Sequence, residues 1–585
     1  MAQDVSHAGW GSGVSTSRPI VPRSAPDPRI LSGLSELDPI TARLFAARGV
    51  SDPGQLDYAL SRLAPVGLLE NVDAAVDLLI AKRSSRITVV GDFDVDGATS
   101  TVLLLRCLRE FGFADVGYLV PNRFEFGYGL TPEIVRIAAE RSPALLVTVD
   151  NGISSLAGVE EANRLGMPVL VTDHHLPGSE MPDAAVIVNP NLPGSRFPSR
   201  NLAGVGVAFY LMAALGRRLE REGLKDAARV PSRYLDLVAL GTVADVVPLD
   251  HNNRVLVDQG LRRIRAGKTV AGIEALLRQS GRQLARTASA DLGFVAGPRI
   301  NAAGRLEDIS IGIECLLTDD MNTALHHAAI LDRINGERRD IESTMREQAF
   351  VYVDRMDASN LPACVCVYDE SWHQGVVGLI AARVRERCHR PSIAFARESD
   401  ALLKGSARSI QGVHARDLLE AVHAVDPDVI VKFGGHAMAA GLTIEESRYE
   451  TFRRLVSEQL ERLYPSADFS GAILSDGVLP DRVLNLDFAR KLRAAGPWGA
   501  GFPEPVWSGD FEVVDQRTVG EKHLKLRVRP ADGGNALDAI AFNQAGPAYR
   551  GTVQLVYRLD VNEYRGFESA QLVVEQIAPI QVRGA

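Results

Sequence analysis

The chain has 585 residues, of which 46% are hydrophobic and 23% charged, with a formal net charge of −9. That length predicts about three to four domains of a soluble globular protein, and no apolar run reaches the roughly 20 residues needed to span a bilayer. The acidic balance excludes a generally basic nucleic-acid coat but not a locally basic groove, because binding follows where Lys and Arg sit.

Residues 1–30 are rich in Ser, Gly and Pro, lack the apolar core of a secretory signal, and read as a disordered tail. Ile87 to Val90 is a β-branched run ending in the acidic turn Gly91 to Gly97, and a helical stretch follows from Ala98 to Phe111. The strand–turn–helix pattern recurs. Ala144 to Val149 ends at Asp150-Asn151-Gly152, and Pro168 to Thr172 ends at Asp173-His174-His175. Alternating strands and helices imply a mostly parallel sheet with helices on both faces, which binds ligands outside the carboxyl ends of its strands. Helices are expected over 204–222 and 232–242, the second running into Ala244-Asp245-Val246. Charged helical patterns over 324–334 and 337–356 read as one long connector helix, assigned to 319–357. A second α/β domain is expected over 358–464, its first strand at 363–368. From 465 to 585 the composition turns to short β-patterned runs with Gly and Pro turns: 511–514, 524–528, 536–542 and 553–560. These predict a small β-barrel, OB-like, on which Trp498, Phe502 and Lys525 are either nucleic-acid contacts or core and turn residues.

Five Cys are scattered. Cys364 and Cys366 have no second Cys or His cluster nearby, which excludes a structural zinc site and reads as reduced core thiols of a cytoplasmic protein. The acidic turns carry the chemistry. Asp94, Asp96, Asp150, His174 and Asp245 offer carboxylate oxygens and one imidazole, a donor set suited to Mg²⁺ or Mn²⁺. A single Asp after a strand is most often a helix cap or turn former, and Asp92 and Asp173 are open to that reading. Three such turns gathered at one sheet edge are another matter, since like charges there are destabilising without cations. Asp150 is the natural bridge between two ions, and a two-ion site activates water without a Ser or Cys nucleophile.

Taken together, the segments 91–100, 148–152 and 171–177 resemble the DHH phosphoesterase superfamily. Segments 120–130, 240–249 and 297–306 are similar to further motifs of its RecJ nucleases, and 372–382, 405–409 and 433–441 resemble the DHH-associated domain. Segments 497–505 and 538–543 resemble the RecJ OB domain. One departure is Glu125-Phe126-Gly127 where the family commonly has Glu-Asp-Gly. The likeness runs from about residue 31, and it implies a DHH catalytic domain over 31–318.

The resemblance implies a metal-dependent 5′→3′ exonuclease that degrades single-stranded DNA to mononucleotides in repair and recombination. One cation would be held by Asp94 and Asp150, the other by Asp96, Asp150, His174 and Asp245, with Asp92 a ligand or a support. His175, with Asp173, would act at the scissile phosphate. Arg123, Arg299, Asn301, Arg305, Ser406, Arg408 and His436 would hold phosphates, Arg by its bidentate fork. The implied partners are single-stranded DNA, the single-strand-binding protein and a RecQ-type helicase, with no membrane and a monomeric chain. Other DHH enzymes act on short RNA, cyclic dinucleotides or pyrophosphate, and a non-catalytic DNA-binding relative is the further alternative; the full ligand set and the C-terminal barrel favour the nuclease.

Overall fold

A computed structural model describes residues 18–120, 129–357, 360–546, 548–564 and 566–580. Its first sheet is parallel throughout. Strands β1 (Arg86–Val90), β2 (Asp115–Leu119), β3 (Leu145–Val149), β4 (Val169–Thr172) and β5 (Val186–Val188) lie in the order β2-β1-β3-β4-β5. All of β3 and β4 is buried, as expected of parallel strands covered on both faces. The chain direction of progress reverses between β1 and β3, and the crevice at such a reversal is where open α/β sheets bind ligands.

Helix Val95–Glu110 follows β1 and packs with helices Gly204–Arg221, Leu235–Ala244 and Gly297–Leu306 into one large apolar core. The two charged helical patterns form a single 34-residue helix, Met321–Asp354, about 50 Å long at 1.5 Å per residue. Near its middle, buried Glu342 accepts from Arg338 at 2.5 Å and from Arg383 at 2.9 Å, which ties this helix to helix Val377–Cys388 of the next lobe.

That lobe holds strands β6 (Val365–Tyr368), β7 (Ser392–Arg397), β8 (Leu402–Arg408), β9 (Lys432–Gly435) and β10 (Ala439–Glu445), in the order β9-β10-β8-β7-β6, with only β6 and β7 parallel. Cys364 and Cys366 are buried free thiols there. The C-terminal strands β11 (Trp507–Val519), β12 (His523–Pro530), β13 (Leu537–Ala541), β14 (Thr552–Tyr564) and β15 (Phe567–Pro579) close a barrel in the order β11-β12-β13-β15-β14. The first four coincide with the β-patterned runs of the sequence. The fifth, β15, was not read there.

One sequence expectation is corrected. The tail assigned as disordered over 1–30 is structured where it is described: Ile20–Pro22 pairs parallel with Ile473–Ser475, and Arg23 and Arg48 both reach Asp476, at 3.2 and 2.9 Å. Of the two readings left open for Trp498 and Phe502, the structure favours packing: the rings stack at 5.1 Å between centroids, Phe502 is fully buried and the Trp498 indole donates to the Leu492 carbonyl. Lys525 pairs with Asp538 at 3.1 Å. Among the described residues, no helix is long and apolar enough to cross a membrane.

Candidate metal centre

The loops after β1, β3 and β4 and the end of helix Leu235–Ala244 converge on one point. Asp94 caps helix Val95–Glu110, accepting from the Gly97 amide at 3.0 Å. Asp96, in its first turn, accepts from the amides of Gly204 at 2.6 Å and Val205 at 2.9 Å, at the N-terminus of helix Gly204–Arg221, an end that favours negative charge. Asp150 takes a left-handed backbone with φ of 60°. Gly204 lies so close to it that an added Cβ would fall 2.7 Å from the Asp150 Cβ; only glycine fits there.

His174 Nε2 lies 3.1 Å from Asp150, 3.6 Å from Asp245 and 3.9 Å from Asp96. Asp96, His174 and Asp245 form one group whose ligand atoms lie within 4.8 Å of one another; Asp92, Asp94 and Asp150 form a second. Asp150 also groups with His174 and His175, so it stands between the two.

The electrostatics fit cations. Burial, then the charges of Asp245 and Asp94, push the Asp96 carboxyl well above its ordinary range; burial, then Asp96 and Asp94, do the same to Asp150. Burial and Asp94 lift Asp245 to about 7. Burial, followed by the charge of His175, lowers His174 to about 3, so its ring is neutral. Its Nε2 is buried without a hydrogen bond while the ring also bonds the Leu202 carbonyl, the arrangement of a metal-ligating imidazole with its second nitrogen fixed.

His175 is the opposite case. Burial works against its charge, yet Asp173, 2.7 Å from Nδ1, raises it to about 9. Asp173 itself is held at about 2 against its burial by His175 and by backbone amides. Its oxygens accept from the amides of His174, His175 and Ile153 at 2.7, 3.1 and 2.9 Å. Asp173 therefore orients His175 and stands in none of the metal-ligand groups among the described residues. Asp96 and Asp150 are sealed in, whereas 22% of the Asp245 side chain and 25% of that of His175 are exposed, so these two line the mouth.

The proposed phosphate-binding residues are placed unevenly. His436, at the β9–β10 turn of the second lobe, sets its ring 5.1 Å from that of His175. Arg408 donates to the Ser406 hydroxyl at 2.9 Å and to the Ala407 carbonyl at 2.8 Å. Arg305 donates to the Gly375 carbonyl at 3.1 Å, bridging the lobes. Arg299 is tied to Asp332 at 2.9 Å and to the Val295 carbonyl at 2.8 Å. Asn301 accepts from the Val95 amide at 3.1 Å and so holds the Asp94–Asp96 turn. Arg123 lies outside the described residues.

Three supports went unread in the sequence. Asn189 and Asn191 donate to the carbonyls of His175 and His174 at 2.9 and 2.6 Å, and Asn151 ties the β3 turn to the Val90 carbonyl at 3.1 Å. Asn151 stands in the turn Asp150-Asn151-Gly152, and Asn189 and Asn191 in the polar turn after the apolar run 186–188; each pattern shows a turn and not what it holds.

Three family models match along the chain: the DHH family N-terminal domain over 86–242, the DHHA1 domain over 360–462 and the RecJ OB domain over 475–576. The single-stranded-DNA-specific exonuclease RecJ of Salmonella typhimurium is 49% identical over 558 residues, covering 93% of this chain and 97% of that protein. The Escherichia coli protein of the same name is also 49% identical, with the same coverage. The crystal structure of Thermus thermophilus RecJ in complex with Mn²⁺ superposes with a TM-score of 0.80 at 30% identity, over 96% of this chain and 80% of that one. A converging carboxylate–imidazole cluster, an associated second lobe and an OB barrel thus occur together in a chain nearly half identical to curated relatives over almost its whole length: it belongs to the RecJ family of the DHH phosphoesterases.

Proposed function

We propose that the chain is a divalent-metal-dependent exonuclease that degrades single-stranded DNA from its 5′ end to mononucleotides. The observation that carries this is the pair of ligand groups meeting at Asp150, with a charged His175 at their mouth. Asp94 and Asp150, supported by Asp92, would hold one cation; Asp96, Asp150, His174 and Asp245 would hold the other. Bound there, Mn²⁺ or Mg²⁺ would supply charge neutralisation and lower the pKa of a water that attacks phosphorus.

The protein does the rest. His175, its Nδ1 engaged by Asp173, turns Nε2 toward the scissile phosphate and gives a proton to the O3′ oxygen that leaves. Each cut so made leaves a 5′ phosphate on the shortened strand. His436, Ser406, Arg408 and Arg305 receive phosphates from the second lobe. The approach of His436 to His175 closes the cleft over the mouth and supports a preference for single strands over duplex. The reading extends, by analogy with the family, to a role in repair and recombination, a monomeric cytoplasmic chain, and the single-strand-binding protein and a RecQ-type helicase as proposed partners.

The test is a long single strand labelled at either end, with and without a 5′ phosphate, incubated with Mn²⁺ beside a blunt duplex and an Asp150→Ala variant. Mononucleotides should appear from the 5′ end of the single strand alone and vanish in the variant. A long strand that survives while dinucleotides are hydrolysed would refute the reading in favour of a small-substrate phosphodiesterase.

A further inference from the structure

We propose that Phe294 is a base-stacking platform for the single strand on its way between the barrel and the metal centre; this rests on the single-strand reading above. Phe294 sits in a π-helical turn, Leu292–Ala296, and is 82% exposed although it is a large apolar ring. Turns of this kind interrupt helices most often at functional sites. The ends of the turn, Leu292 and Ala296, are buried, so the ring is presented from a fixed base.

Its position is what selects the occupant. A Cβ added to Gly293 would lie 3.2 Å from Val243 Cγ1, and one added to Gly297 would lie 3.3 Å from the Ala244 Cβ. The turn is therefore wedged against the end of helix Leu235–Ala244, whose next residue is the mouth ligand Asp245. Val246 follows with φ of 65° and 67% exposure, a strained β-branched residue that adds an exposed apolar side chain directly after Asp245.

The other end of the same segment touches the barrel. Arg286 pairs with Glu563 and with Glu568, which flank the hairpin between β14 and β15, and the Ser289 hydroxyl donates at 2.7 Å to the carbonyl of Trp498 in the segment that leads into the barrel. Residues 286–299 thus run from the barrel to the metal centre, with Phe294 exposed between and the Arg299 guanidinium held against Val295 beside it. An exposed aromatic ring on a rigid turn, on a path between the barrel and the metal centre, fits a nucleotide whose base stacks on it. Stacking accepts any base because each has a π face, so the contact grips a strand without reading it.

The test walks a single abasic residue along a 5′-phosphorylated oligonucleotide and compares wild type with Phe294→Ala, Phe294→Leu and Phe294→Trp in Mn²⁺. In wild type, one window of abasic positions should raise KM. Phe294→Ala should raise KM for the intact strand about tenfold or more, with kcat changed far less, and should flatten that window. Phe294→Trp should restore both, and Phe294→Leu neither. The ring is exposed, so the melting midpoints of the variants should match wild type. If the window persists in Phe294→Ala, or Phe294→Leu performs like wild type, the stacking role is overturned. If wild type degrades no single strand at all, it is the underlying reading that falls.

Discussion

Replacing Asp245 by Asn tests whether the carboxylate cluster is under electrostatic strain that cations relieve. Asp245 is lifted from an ordinary 3.8 to about 7 by burial and by Asp94, a difference equivalent to about 4 kcal/mol at 1.36 kcal/mol per pH unit. The sign follows from the raised value. The metal-free fold pays nothing for this group below about pH 4, loses stability as pH rises toward about 7, and carries the full cost above that. Asn keeps the shape without the charge, so Asp245→Asn in EDTA should melt higher than wild type near pH 8, by at least about 4 °C, with a smaller gain near pH 5. Mn²⁺ should raise the wild-type midpoint and raise that of the variant clearly less, because only one of the two ion sites keeps all its ligands. Scanning calorimetry of the full chain, following the transition that responds to Mn²⁺, reads all of these. A variant that melts lower than wild type in EDTA near pH 8, or one that Mn²⁺ stabilises equally, would show that the cluster is neither strained nor built around cations.

Other perturbations reach different parts of the machinery. In metal-free protein, the His175 imidazole should titrate near 9 by NMR, and Asp173→Asn should bring it down toward the ordinary 6.5, because the raising charge is removed. His175→Asn should lower kcat by about 10²–10⁴-fold, with Mn²⁺ affinity measured by calorimetry changing much less. Gly204→Ala should cost about 1–3 kcal/mol and weaken Mn²⁺ binding, since the added methyl meets the Asp150 Cβ at 2.7 Å. Glu342→Ala should destabilise the junction of the connector helix and the second lobe by about 3 kcal/mol in denaturant unfolding, because Arg338 and Arg383 lose their shared partner.

The site was legible wherever its residues sit at the end of a recognisable strand. Asp94, Asp96, Asp150 and the pair His174–His175 all occupy turns after apolar β-branched runs, and strand order then does the gathering. What escaped is set by contacts between distant segments. Arg299 and Asn301 belong to a motif that suggests phosphate binding, yet Arg299 is anchored to Asp332 and Asn301 holds the Val95 amide, both partners fixed only by packing. Trp498 and Phe502 look alike in sequence whether they stack on bases or on each other, and here Phe45 lies 6.1 and 6.2 Å away to complete the stack. Ile20–Pro22 carries no strand signal stronger than its proline-rich surroundings; the Ile473–Ser475 edge beside it makes it a strand.

That last pairing also orders events on the ribosome. The partner edge of Ile20 emerges roughly 450 residues after it, about 20–90 s at typical elongation rates. The catalytic lobe can fold during that interval with its leading segment unlatched. Closure of Arg23 and Arg48 onto Asp476 waits for that later segment, so the catalytic lobe is fastened to the segment leading into the barrel by residues made long before their partner.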